Sequence, residues 1–194
     1  PCLQGRIAEG QRMTDNLMWV FGYGSLIWQP GFEPAGRRLA RLDGWHRSFC
    51  MRSVHHRGTP DDPGLVLALD RAAAAACHGV AYAVRPGEEP AVMAYLRERE
   101  LVSSAYLETV QTVAFEDGGG TVEAVTYVID PDHEQYCGGL AREEQARIIA
   151  AATGGRGPNS DYLFNTAAHL AELGLPDPDL EWLSARVRAL LAGH

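Results

Sequence analysis

The sequence predicts an α+β fold in which a largely antiparallel, curved sheet is interrupted by one helix and followed by a helical C-terminal third. Three observations lead there. Short apolar, β-branched or aromatic runs alternate with turn signals up to Ile129. A single early stretch, Glu88 to Glu100, carries helical periodicity, and three further helical stretches follow Ala141.

Leu17 to Tyr23 is apolar and aromatic, and ends in Gly24-Ser25, as a buried strand that turns sharply would. Further strands are expected at Arg38 to Leu42, His46 to Val54, Leu65 to Leu69, Gly79 to Val84, Leu107 to Phe115 and Thr121 to Ile129. Asp43-Gly44, Gly58-Thr59-Pro60 and Asp117 to Gly120 supply turns between them. The run Ala72 to Ala76 is compatible with helix, strand edge or loop. In the helix over Glu88 to Glu100, Pro90 suits the first turn and Val92, Met93 and Leu96 form an apolar stripe. The later helices are Ala141 to Ala152, Asp161 to Leu173 and Asp179 to Leu191. Asn159 or Ser160 is available to cap the second, and Gly154 to Pro158 forms a break before it.

A chain of 194 residues with 46% hydrophobic content suits one packed core, so residues 17-194 are expected to form a single domain. Residues 1-16 are polar and aperiodic, the pattern of a flexible N-terminal arm. A net charge of -8 argues against nucleic acid or an anionic membrane as partner and favours a small soluble ligand. All 17 basic residues are Arg, which excludes Schiff-base and P-loop lysines. Cys2, Cys50, Cys77 and Cys137 lack metal or disulfide spacing and read as free thiols of a reducing compartment. No apolar run approaches the roughly 20 residues of a membrane span, and the first 16 residues lack a signal-peptide core, so a cytoplasmic location is expected.

Two places carry candidate chemistry. In Phe21-Gly22-Tyr23-Gly24-Ser25-Leu26, two glycines flank a tyrosine at a strand end, so that successive N–H groups can converge on a carboxylate; a glycine-relieved strand end or bulge is the plainer alternative. Glu100 continues the i, i+4 series Val92, Leu96, while Glu98 points nearly the opposite way. An inward carboxyl near a helix C-terminus has its pKa raised toward the range useful for a general base and acid. The alternative is a glutamate that emerges into solvent or pairs with Arg57 or Arg99. His55-His56 have poor geometry for one metal, and a turn anchored by Arg57 suits them better. His133, Glu134 and Cys137 fit a solvated loop, and no metal is expected. Ser25 lies outside any G-x-S-x-G elbow, which leaves its hydroxyl to assist the cradle. Tyr106 and Tyr162 fit core positions whose phenols need partners.

Several separated segments together resemble the ChaC branch of the γ-glutamylcyclotransferases. They are Trp19 to Pro30 (WVFGYGSLIWQP), Gly44 to Cys50 (GWHRSFC), Arg57-Gly58-Thr59-Pro60 with Pro63-Gly64, Gly79-Val80-Ala81-Tyr82, Arg99-Glu100 with Tyr106, Asp130-Pro131, and Asn159 to Leu163 (NSDYL). The similarity runs from about Leu17 into the last helix. It implies a small mixed β-barrel surrounded by helices, and cleavage of glutathione into 5-oxoproline and Cys-Gly without a cofactor. It further implies that Val20, Phe21, Gly22, Tyr23, Gly24, Ser25 and Leu26 hold the γ-glutamyl moiety, that Tyr106 and Tyr162 contribute to the pocket, and that Glu100 is catalytic. A non-catalytic γ-glutamyl-binding or transport-regulating protein, and a cyclotransferase for another γ-glutamyl amine, are the competing readings. One departure stands out: the family usually has glycine before the tyrosine, where this chain has Ser103-Ser104-Ala105.

Overall fold

The structure, a computed structural model, describes residues 17–193, so the expected N-terminal arm and Cys2 lie outside the described residues. Five strands close into a barrel in the order β1-β3-β2-β4-β5, with β1 at Trp19–Gly22, β2 at Gly36–Ser53, β3 at Gly64–Ala83, β4 at Tyr106–Phe115 and β5 at Thr121–Ile129. The barrel closes where β1 lies antiparallel to β3 and parallel to β5, the latter over Trp19↔Ala124 and Val20↔Val125. Helix α1 (Glu89–Glu100) precedes β4, and α2 (Arg142–Ala151), α3 (Asn159–Glu172) and α4 (Pro178–Ala192) follow β5.

The sheet differs from the sequence expectation in having fewer and longer strands. The stretches expected at Arg38 to Leu42 and His46 to Val54 merge into one strand of 18 residues that ends at Ser53, and those at Leu65 to Leu69 and Gly79 to Val84 into one of 20 that ends at Ala83. Asp43-Gly44 is a register shift inside β2, with Gly44 at φ +82°, and the strand goes on to bury Trp45 beside Leu42 in the same core. The Ala72 to Ala76 run is strand, because pairing with β2, as at Asp43↔Ala76, overrides the helical preference of alanine. The Gly154 to Pro158 break contains a two-stranded ladder, β6 (Thr153–Gly154) with β7 (Gly157–Pro158).

All five strands contribute to one apolar cluster, including Trp19, Phe21, Leu42, Trp45, Leu69, Val113, Phe115 and Val128, which is therefore the barrel interior. On the outer face α1 buries Val92 and Leu96 against Val20, Val84 and Tyr127. Each such side chain contributes about 1.5–3 kcal/mol by leaving water. Helices α2 to α4 pack Ile149, Leu163, Leu170, Leu180 and Val187 onto Leu65, Leu67, Val80 and Tyr82.

Asn159 does not cap α3. Its Oδ1 accepts from Leu65 N and its Nδ2 donates to Leu65 O, both at 2.7 Å, so the side chain stands in for a neighbouring strand beyond the end of β1. Between α1 and β4 the chain turns through Ser104, whose φ of +57° is the left-handed conformation that glycine adopts at little cost. Replacing Ser104 with Gly is expected to raise stability by about 0.5–1 kcal/mol, read as a shifted urea midpoint with unchanged slope, and Ser104→Val to lower it.

Candidate active site

Glu100 sits at the last turn of α1, one step along the series that buries Val92 and Leu96, while Glu98 is exposed. Its side chain keeps only 16% of its exposure, and Arg99 Nε approaches Glu100 Oε1 at 3.1 Å. The two sequence alternatives are thus both realised: the carboxyl is turned inward and is paired with Arg99. Burial, the larger influence, holds the Glu100 pKa above the ordinary carboxylate value, and the positive charges of Arg99 and Arg156 pull it back.

Arg99 also ties this helix end to the glycine-flanked turn. Its Nη2 donates to Ser25 Oγ at 2.8 Å, and its Nη1 to Gln29 O at 2.5 Å and Tyr95 Oη at 2.9 Å. The turn is held from the opposite side as well. Tyr23 Oη donates to Tyr127 O at 2.6 Å, and Arg47 Nε donates to Tyr23 O at 2.7 Å. Arg47 is 4% exposed and pairs with Asp177 at the head of α4 at 2.8 Å. After Gly24 the chain winds into a single 3-10 turn, Ser25–Ile27, whose carbonyls at Leu26 and Ile27 both accept from Tyr82 Oη at 3.0 Å. The first bond inside the turn runs from Ile27 N to Gly24 O, so the amides of Ser25 and Leu26 have no acceptor within it.

Phe21, Tyr23, Gly24, Ser25 and Leu26 line one inner pocket together with Glu100, Tyr106 and Tyr162. Two of the expected residues lie behind it. Val20 is fully buried against α1, and Gly22 pairs with Val80 in the barrel. Tyr106 Oη donates to Leu67 O at 2.7 Å, and Leu67 N donates to Tyr162 Oη at 3.3 Å. Both phenols are pushed to higher pKa, chiefly by burial, and stay protonated. Because Tyr162 accepts from Leu67, its own proton remains to be donated. A Cβ on Gly24 would stand 3.3 Å from this hydroxyl, so the glycine is what lets Tyr162 come down over the turn.

The inner pocket opens into a wider cleft that shares Ser25, Glu100, Tyr106 and Tyr162 and adds Trp28, Met51, His55, His56, Arg57 and Arg156. Arg57 anchors the turn that holds the two histidines, with Nη1 donating to Arg156 O at 2.8 Å and Pro158 O at 3.1 Å. Arg47 and Arg156 escaped the sequence reading. Arg47 lay inside the GWHRSFC segment that carries the resemblance but was given no role of its own, and Arg156 lay in a stretch that resembles a simple break. His133 and Glu134 line a separate depression, and the His133 Nδ1 accepts from Gln135 N at 3.1 Å. Among the described residues no three His, Cys, Asp or Glu side chains converge at metal-binding distance, and no helix is long and apolar enough to cross a membrane.

The family model described as ChaC-like protein matches residues 18–190. Among curated proteins, the glutathione-specific gamma-glutamylcyclotransferase of Escherichia coli is 37% identical over 181 residues, covering 93% of this chain and 77% of that protein. Gamma-glutamylcyclotransferase 2-3 of Arabidopsis thaliana is 37% identical, with 90% of each chain covered. Among solved structures, that of a glutathione-specific gamma-glutamyl cyclotransferase from yeast superposes with a TM-score of 0.82 at 25% identity, over 91% of this chain and 98% of that one. With its barrel, its surrounding helices and almost its whole described length matched in this way, the chain belongs to the ChaC-like protein family.

Proposed function

We propose that this chain is a glutathione-specific γ-glutamylcyclotransferase whose described part, from residue 17 onward, acts as one catalytic domain. The observation that carries the reading is a desolvated carboxyl, Glu100, in the same pocket as the glycine-flanked turn and two tyrosine hydroxyls. The relatives named above lend it the substrate.

Backbone amides of the turn that follows Gly22, those of Ser25 and Leu26 foremost, hold the α-carboxylate of the γ-glutamyl unit, which folds its α-amine toward its own γ-carbonyl. The amine nitrogen attacks the γ-carbonyl carbon and closes a five-membered lactam; the bond from that carbon to the cysteinyl nitrogen breaks. Glu100 takes the proton from the attacking amine and returns it to the departing nitrogen, so that 5-oxoproline and Cys-Gly leave without any proton being gained or lost overall. The attack is intramolecular, and fixing the bent substrate contributes several kcal/mol of the barrier reduction. Tyr162, with a proton to donate, and the turn amides stabilise the oxygen that becomes negative in the tetrahedral intermediate. No cofactor takes part. The free thiols of Cys50, Cys77 and Cys137 suit the cytoplasm, where glutathione is abundant and reducing.

Incubating the protein with glutathione should release 5-oxoproline and Cys-Gly in equal amounts, followed by chromatography of both products. Glu100→Gln keeps the shape of the side chain and should lower kcat/KM by about 10²- to 10⁴-fold; a variant with half the activity would remove Glu100 from the mechanism. The carboxyl must be ionised to accept a proton, so kcat/KM should climb with pH through a midpoint above the ordinary value of 4.5. Stability follows the opposite sign. The folded protein holds this proton more tightly than the unfolded chain, so the stabilisation is complete below the unfolded pKa and is lost as pH rises through the folded one. The Glu100→Gln protein should therefore melt no lower than the parent at pH 7 by differential scanning calorimetry.

A further inference from the structure

We infer that Arg156, held in place by Arg57, receives the carboxylate at the far end of the substrate, so that the site selects γ-glutamyl peptides with a free C-terminus over γ-glutamyl amines. The inference rests on the cyclotransferase reading and deepens it by assigning a residue to the half of the substrate that is released as Cys-Gly.

Charge is the first support. The chain carries a net charge of -8, yet the wider cleft presents Arg57, Arg99 and Arg156 with His55 and His56, and its one acidic residue is Glu100. Arg99 is taken up by Glu100, whereas neither Arg57 nor Arg156 has a carboxylate partner among the described residues. Two of Arg57's possible bonds are spent on the carbonyls of Arg156 and Pro158, and this leaves Arg156, whose side chain is exposed, as the guanidinium open to a ligand.

Rigidity is the second. The ladder of β6 and β7 is fastened to the His55–Gly58 turn by main-chain bonds, Gly155 N to His55 O at 2.8 Å and Arg156 N to His56 O at 2.9 Å. The packing is so close that a Cβ on Gly154 would stand 2.4 Å from Gly58 N. A guanidinium on so short and pinned a ladder gives up little backbone freedom when it binds, and the forked geometry of Arg matches a carboxylate.

Reach is the third. An extended chain advances about 3.3–3.6 Å per residue, so a carboxylate two residues past the scissile bond lies roughly 7 Å from the carbon attacked. Arg156 and His56 line the same cleft as Glu100, which stands beside the reacting atoms. A dipeptide leaving group carries a carboxylate at that reach, and a simple amine carries none.

The test compares glutathione with its C-terminal amide, which differs only in the charge proposed to be recognised. Binding is measured by titration calorimetry on full-length Glu100→Gln protein, where no turnover intervenes, and steady-state kinetics are measured on the parent. The amide should bind about 10- to 100-fold more weakly than glutathione. Adding Arg156→Gln should weaken glutathione to the level of the amide while leaving the amide unchanged, and Arg156→Lys should restore part of the difference. In the otherwise unaltered enzyme, Arg156→Gln should raise KM for glutathione by a similar factor with kcat largely kept. Equal binding of acid and amide, an equal loss of both on Arg156→Gln, or no binding of either overturns the assignment. Discrimination in binding together with absent 5-oxoproline release from the parent supports the Arg156 assignment and sinks the cyclotransferase reading instead.

Discussion

Removing a carboxylate from water costs several kcal/mol unless opposite charge and hydrogen bonds offset the loss, and the arrangement around Glu100 offsets it only in part. Arg99 stands 3.1 Å away, but its guanidinium is shared with Ser25, Gln29 and Tyr95. The incomplete compensation leaves the carboxyl with a pKa raised above the ordinary carboxylate value, so it holds a proton more readily than an exposed glutamate does. The same guanidinium bonds the end of α1 to the turn after β1, so one side chain both tempers the effect of burial on the proton affinity and fixes the position of the carboxyl.

The pocket exists because β1 is short. It pairs with β3 only as far as Gly22↔Val80, and β3 extends well beyond that pairing toward Gly64. Where another strand would continue, the chain turns at Gly24 instead, and side chains take over the main-chain partners. Asn159 serves Leu65, and Tyr106 and Tyr162 serve Leu67. Two of the hydroxyls that face the pocket are therefore fixed by the same bonds that finish the sheet. The rings of Trp28 and Phe49 stand edge-on to Tyr162 at 5.9 and 6.0 Å, which further limits its orientation.

Much of this was legible in the chain and some was not, for reasons that differ by residue. The spacing of Val92, Leu96 and Glu100 is local, and helical geometry alone turned the right glutamate inward. The glycine-flanked tyrosine announced a turn for the same reason. Strand continuity through Asp43-Gly44 and Ala72 to Ala76 was hidden, since local propensity favours a turn and a helix there, and pairing across the barrel decides otherwise. Asn159 carries a sound capping signature, but its partner is Leu65, 94 residues away in sequence. Arg47 and Arg156 likewise acquire their roles from elements far off in the chain, and no periodicity reports such contacts. Ser104 belongs to the stretch that departs from the related pattern, and nothing in that stretch announced its left-handed backbone, which a side chain other than glycine's adopts only at a cost.

The completed edge of β3 has a consequence for the kind of molecule that can enter. An unfinished strand edge invites extended polypeptides to lie alongside and extend the ladder. At Leu65 and Leu67 both the N–H and the C=O are already engaged by side chains, so a passing polypeptide finds nothing to pair with there. At these two residues the cleft beside it is thereby closed to recognition by strand addition, and what the cleft offers a guest instead is side chains and the amides of the turn.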